Sequence, residues 1–136
     1  GSGYLTAAMA IMVGPRGKVV GIEHIPELVE MSKRNIEKHH GDLLSSGRIE
    51  FIAGDGRKGK PIEGGYNAIH VGAAAPTLPM ELVRQLADGG RMVVPVGAVH
   101  KQFVQVDREG DQIRQKTLHG VVYVPLTSRE AQLGIN

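Results

Sequence analysis

Cysteine and tryptophan are both missing from these 136 residues, and the remaining aromatics are two phenylalanines and three tyrosines. Without thiols, disulfides, thiolate nucleophiles and zinc–thiolate centres are excluded, and nothing ties the chain to an oxidising compartment, so a cytoplasmic location is expected. So few rings cannot form a platform on which successive bases stack. Charge of one sign is also lacking. Sixteen Lys and Arg stand against fourteen Asp and Glu, a formal net charge of +2. The basic residues are scattered among acids, so no phosphate-backbone footprint is drawn and no nucleic-acid partner is expected. The apolar stretch at 5–13 is too short for a bilayer and follows no basic segment or cleavage pattern, so no membrane partner is expected either. The six histidines include no pair at the i, i+4 spacing of a helical metal site, and no metal is expected.

What is present reads as one globular domain over 1–136, near the modal domain length and able to bury an ordinary core. Residues 4–13, rich in Ala, Met and Leu, form a helix stopped by Gly14-Pro15-Arg16-Gly17. A strand at 19–23 follows. A helix at 26–39 opens on Pro26 and carries Leu28, Val29 and Ile36 at helical spacing, and a polar loop occupies 41–47. Strands follow at 49–53, 66–71 and 92–96. The last two are separated by a helix at 79–87 with Leu82, Val83 and Leu86 inward, stopped by Asp88-Gly89-Gly90. This alternation predicts a parallel sheet covered by helices on both faces. Beyond Gly97 the pattern changes to an antiparallel one: a strand at 103–108, a reversal at Glu109-Gly110-Asp111, a return strand at 113–118 and an apolar run at 121–126.

Two of the parallel strands end in acids, Val19-Val20-Gly21-Ile22-Glu23 and Ile49-Glu50-Phe51-Ile52-Ala53-Gly54-Asp55. In open α/β sheets ligands bind beyond the carboxyl ends of the strands. One acid there can accept from ribose hydroxyls and its neighbour from an adenine amino group, which suggests an adenosine-bearing cofactor. For Glu23 the plainer alternative is a solvated acid near a helix N-terminus; for Asp55-Gly56 it is a simple turn. The strand–helix–strand spacing between them favours the cofactor roles. Gly1-Ser2-Gly3-Tyr4 resembles the second half of a nucleotide-binding loop leading into a helix. Such a loop needs a strand before it. The sequence is therefore expected to be an N-terminally truncated piece of a longer protein, with Gly1-Ser2 as an expression scar as the alternative. The preceding strand would lie between the strand ending at Glu23 and the strand at 67–71.

The strings GSGYLTA, VVGIEHI, LLSSGRIEFIAGDGR, YNAIHVGAAAP, LADGGRMVVPVG and GVVYVPLT together resemble protein-L-isoaspartate (D-aspartate) O-methyltransferase, from the first residue almost to the last. The resemblance implies an α/β fold of the class I S-adenosylmethionine-dependent methyltransferase (Rossmann-like) type, with a doubly wound, mostly parallel sheet, antiparallel C-terminal strands and the first strand missing. It implies methyl transfer from S-adenosylmethionine to the carboxyl of L-isoaspartyl and D-aspartyl residues in damaged proteins, with S-adenosylhomocysteine as product. Ser2, Glu23, His24, Asp55, Gly56, Thr127 and Gln132 would then contact the cofactor. Gly72, Ala73, Ala74, Ala75 and Pro76 would line the substrate approach, leaving main-chain groups free to bind a peptide. Without the family, Ser2, Thr127 and Gln132 would read as capping or surface residues. Family members carry a hydroxyl residue and an Ala-Pro-His string before the glycine loop; the catalytic residues are expected there. The intact protein is expected to be a monomer, and the 136 residues alone to be inactive.

No nucleophile elbow or base-and-orienter pair is visible, and none is required, because an ionised carboxylate is its own nucleophile. Positioning carries the burden. Two other readings stay open at this level. A nicotinamide-dinucleotide-binding domain would share the sheet, but its fingerprint wants Gly or Ala where Thr6 stands. A non-catalytic remnant or binding module of the same fold is the other.

Overall fold

The computed structural model describes residues 2–120 and 126–133, and the backbone divides into two compact units, Gly1–Gly56 and Arg57–Asn136. The first unit runs α1 (Tyr4–Val13), β1 (Val19–Glu23), α2 (Pro26–Ser45) and β2 (Ile49–Ala53). β1 and β2 pair in parallel, Val19 opposite Ile49 and Glu23 opposite Ala53. Alternation along the strands sets Val19, Ile49 and Phe51 on one face. That face meets Ala7 and Ala10 of α1 and Ile36 and Leu43 of α2 in one core cluster, so both helices cover the same side of this strand pair. α1 ends as its sequence predicts, at Gly14, with φ of 82° and its N–H donating to Ile11 O at 3.3 Å.

α2 departs from expectation. The predicted helix at 26–39 and polar loop at 41–47 are instead a helix running to Ser45 across a kink at His40 (φ −139°, ψ 38°). The kink re-aims the following turn so that Leu43, 2% exposed, joins Ile36 and Ile49 in the core. Burying a leucine is worth about 1.5–3 kcal/mol, more than the roughly 1 kcal/mol that a helical glycine costs at Gly41.

The second unit contains β3 (Tyr66–His70), α3 (Met80–Val83), β4 (Leu86–Val96), β5 (Gln102–Glu109), β6 (Gln112–Gly120) and α4 (Arg129–Gln132). The strand order is β3-β4-β5-β6, parallel for the first pair and antiparallel for the other two. Met92 faces Val106 and Val94 faces Val104 across β4 and β5. These four join Leu82 and Val83 of α3 and Leu86 in the core of this unit. The helix expected over 79–87 shrinks to α3, and Leu86 already belongs to β4. Pairing explains the change: Tyr66 N–H donates to Gln85 O at 2.8 Å and Tyr66 stands opposite Leu86. Leu86 is fully buried in the strand, so helical burial offers it nothing more. Asp88-Gly89-Gly90 therefore lies within β4, at the register shift between the Tyr66–Leu86 and Ala68–Arg91 pairs, and does not stop a helix. The reversal at Gly110 forms where expected. Most of the apolar run at 121–126 lies outside the described residues.

Among the described residues six strands form two sheets, β1-β2 and β3-β4-β5-β6. Among the described residues no helix is long and apolar enough to cross a membrane.

Candidate cofactor site

In the first unit the candidate acids gather at one end of the parallel pair. Gly54 N–H donates to Glu23 O at 3.0 Å, which ties the turn carrying Asp55 and Gly56 to the end of β1. The Glu23 carboxylate accepts from Ile25 N–H at 3.3 Å and lies 4.0 Å from His24 Nε2, the two side chains being 19% and 15% exposed. These contacts aim a group that offers about four acceptor sites. They also set its charge at the start of α2, where the helix dipole favours an anion. Asp55 and Gly56 are half-buried. Glu23, His24, Asp55 and Gly56 are thus brought together by two strand ends, as their sequence positions predict.

Ser2 is exposed; its Oγ accepts from Tyr4 N–H at 3.3 Å, and its carbonyl accepts from Asn35 Nδ2 at 3.0 Å. Gly3 follows in the left-handed region, φ 84°. A Cβ there would stand 3.0 Å from Ser32 Cβ and 3.1 Å from Phe51 Cζ, so both backbone conformation and space demand glycine. The close approach of helix to strand, which the dinucleotide fingerprint secures with a small residue where Thr6 stands, is supplied here by the strand. A Cβ at Gly21 would lie 3.0 Å from Thr6 Oγ1 and 3.1 Å from Phe51 Cδ1.

The remaining candidates lie in the second unit. Residues 72–76 do not leave their main chain free as expected. Ala75 N–H donates to Pro95 O at 2.9 Å, Ala75 O accepts from Gly97 N–H at 2.9 Å, and Ala74 O accepts from Leu126 N–H at 2.7 Å. The segment continues the β3–β4 pairing through a parallel bridge between Ala75 and Val96. Ala74 and Ala75 are buried at 2% and 3%, while Gly72 and Pro76 are exposed and Ala73 is half-buried. The bond from Leu126 brings the neighbouring Thr127, half-buried, beside this segment. Ser128 caps α4, its Oγ accepting from Ala131 N–H at 3.2 Å, and Gln132 ends that helix.

Asp107 and Arg91, on β5 and β4, make a hydrogen-bonded ion pair at 2.7 Å. Arg91 holds the Asp107 carboxyl below its ordinary value, and Asp107 raises the Arg91 guanidinium. Neither is a candidate site residue. Among the described residues no group of three His, Asp or Glu could hold a metal.

The family model for protein-L-isoaspartate(D-aspartate) O-methyltransferase (PCMT) matches residues 1–131. The chain belongs to this family. It is 54% identical over 138 residues to the protein-L-isoaspartate O-methyltransferase of Caenorhabditis elegans, covering 100% of this chain and 61% of that protein. To the Triticum aestivum enzyme it is 51% identical, covering 98% of this chain and 59% of the relative. The chain thus spans about 60% of the length of these two relatives. Among solved structures it is similar to a Plasmodium falciparum PCMT in complex with S-adenosyl-L-homocysteine, with TM-score 0.81, 31% identity, and 93% of this chain and 62% of that one covered. The α/β methyltransferase fold of the PCMT family is therefore the fold of this chain.

Three residues that make hydrogen bonds across long stretches of sequence carry little signal in it. Asn35 reads as a polar helix surface. Arg48, whose Nη2 donates to Ala10 O at 2.8 Å and Gly14 O at 3.1 Å, reads as a loop cation. Gln85, 7% exposed, is a polar residue set among apolar ones, which is the one hint it gives.

Proposed function

We propose that this chain is part of one S-adenosylmethionine-binding domain of a protein-L-isoaspartate O-methyltransferase, acting in the cytoplasm as a monomer on isoaspartyl-containing proteins and peptides. The observation that carries the reading is the bond from Gly54 N–H to Glu23 O, which sets two acid-bearing strand ends side by side. That pair of acceptors fits an adenosine. Glu23 would accept from the ribose hydroxyls beside His24, Asp55 and Gly56 would meet the adenine, and Ser2, Thr127 and Gln132 would complete the contacts. When bound, S-adenosylmethionine supplies an electrophilic methyl on a sulfonium.

The residues of this chain need supply no general base, since the attacking carboxylate is ionised at neutral pH. Their task is to hold that carboxylate in line and exclude water. Gly72, Ala73, Ala74, Ala75 and Pro76 would form the substrate approach. With Ala74 and Ala75 buried, the surface offered to a peptide is that of Gly72, Ala73 and Pro76. The transfer discharges a carboxylate and a sulfonium together, which an environment of low polarity favours.

Calorimetric titration of the native gene product with S-adenosylhomocysteine, paired with methyl transfer to an isoaspartyl peptide, tests the reading. Glu23→Ala and Asp55→Ala should each weaken binding by about 1–3 kcal/mol, the scale of a lost charge-assisted hydrogen bond. Unchanged affinity in both variants removes these acids from the site, and absence of transfer by the wild type removes the activity.

A further inference from the structure

The glycine loop of the first unit is seated on α2 at two points one helical turn apart. Asn35 Nδ2 donates to Ser2 O at 3.0 Å. A Cβ at Gly3 would stand 3.0 Å from Ser32 Cβ and 3.3 Å from Ser32 Cα, so Gly3 lies against the helix surface itself. Positions 32 and 35 share one face of a helix; Ser32 is buried there and Asn35 half-buried. Within the loop, Ser2 Oγ accepts from Tyr4 N–H at 3.3 Å and Gly3 O accepts from Ala7 N–H at 3.0 Å. Those bonds shape the loop and start α1, but they do not tie it to the rest of the unit. The asparagine bond does. Because the Ser2–Gly3 peptide is trans, its carbonyl and its N–H point in opposite directions, and a carbonyl held on α2 turns the Gly3 N–H away from that helix.

The same helix is fastened to the acid at the end of β1. The Glu23 carboxylate accepts from Ile25 N–H at 3.3 Å, and Ile25 is the residue that opens α2. From Pro26 the helix runs past Asn35 without interruption, its kink falling later, at His40. One rigid element therefore fixes both Glu23 and the glycine loop. We propose that Asn35 is a positioning residue for the cofactor site: it holds the Ser2–Gly3 peptide in one orientation relative to Glu23, so that the ligand does not have to order the loop on binding. The proposal rests on the cofactor reading given above, in which Ser2 and Glu23 meet the ligand. It deepens that reading by giving a role in recognition to a residue on the surface of α2 that acts through the loop.

The test is S-adenosylhomocysteine titration of the native gene product, with steady-state methyl transfer and the ligand-free unfolding midpoint measured for each variant. Asn35→Leu keeps the shape and loses the donor. Its dissociation constant should rise about three- to tenfold, the weight of one hydrogen bond. The KM for S-adenosylmethionine should rise with it, while the KM for an isoaspartyl peptide stays at the wild-type value. Asn35→Asp sets an acceptor-only carboxylate against the Ser2 carbonyl at neutral pH and should bind more weakly than the leucine variant. Asn35→Gln retains the amide one methylene further out and should recover part of the affinity that leucine loses. Wild-type affinity in Asn35→Leu, whatever its unfolding midpoint, overturns the proposal, and so do equal losses in the leucine and glutamine variants. A rise of both KM values together overturns it as well, and makes Asn35 a residue of general structure. A wild type that is folded and binds no S-adenosylhomocysteine overturns the cofactor reading itself.

Discussion

Replacing Arg48 with methionine isolates a capping interaction that holds α1 in the first unit. The guanidinium Nη2 donates to Ala10 O at 2.8 Å and to Gly14 O at 3.1 Å, both at the C-terminal end of α1, where carbonyls lack partners within the helix and a cation complements the dipole. Two bonds from a charged donor are together worth about 3–6 kcal/mol. Against this, Arg48 Nε is buried without a hydrogen-bond partner among the described residues. Methionine removes that unpaired donor, recovering about 1–3 kcal/mol. Gly14 O keeps a bond from Gly17 N–H at 3.1 Å, which limits the loss, and the methionine stem retains most of the apolar contact. The balance is a destabilisation of about 2 kcal/mol. Urea unfolding followed by far-ultraviolet circular dichroism should show a lower midpoint with an unchanged slope. Arg48→Lys, with one donor group in place of the fork, should fall between the two. A methionine variant as stable as the wild type, or more stable, would show that the unpaired Nε cancels the cap and would refute the reasoning.

Ala74→Leu should destabilise the protein by about 1–3 kcal/mol through overpacking, because Ala74 is 2% exposed and bonded to Leu126; an unchanged melting temperature with a raised KM for an isoaspartyl peptide would instead place this side chain in an open approach. The Asp107 carboxyl, held below its ordinary value first by its hydrogen bond to Arg91, contributes stability that is present above its unfolded-state pKa and is lost as pH falls through its lower folded-state value. Arg91→Met should therefore flatten the fall of the unfolding midpoint on the acid side, and an identical acid limb in both proteins would remove the pair from the pH dependence.

Much of the element order was legible because buried strands and capped helices write local patterns. The apolar run ending at Glu23, the run from Ile49 to Ala53, and the helix closed by Gly14 all form with the predicted bounds. The two acids at neighbouring strand ends were legible for the same reason, since a parallel strand–helix–strand unit leaves its strand ends on one side. Errors arose where a local pattern competed with a distant partner. Leu86 sits at helical spacing from Leu82 and Val83, yet the ladder to Tyr66 takes it into β4. Gly41 reads as a breaker, yet the burial of Leu43 carries α2 past it.

By itself the sequence determined the family, the α/β class and the placement of Glu23 and Asp55 at strand ends, because these depend on residue order and on periods of two and 3.6 that any short window displays. The tertiary structure alone decided that the main chain of Ala74 and Ala75 is already bonded, that Arg48 caps a helix 34 to 38 residues away in the chain, and that Gln85 holds a loop 27 residues before it. Each of these is a hydrogen bond between groups distant in sequence, and such a bond leaves no periodicity to read: a polar residue buried on a partner looks, in one dimension, the same as a polar residue in water.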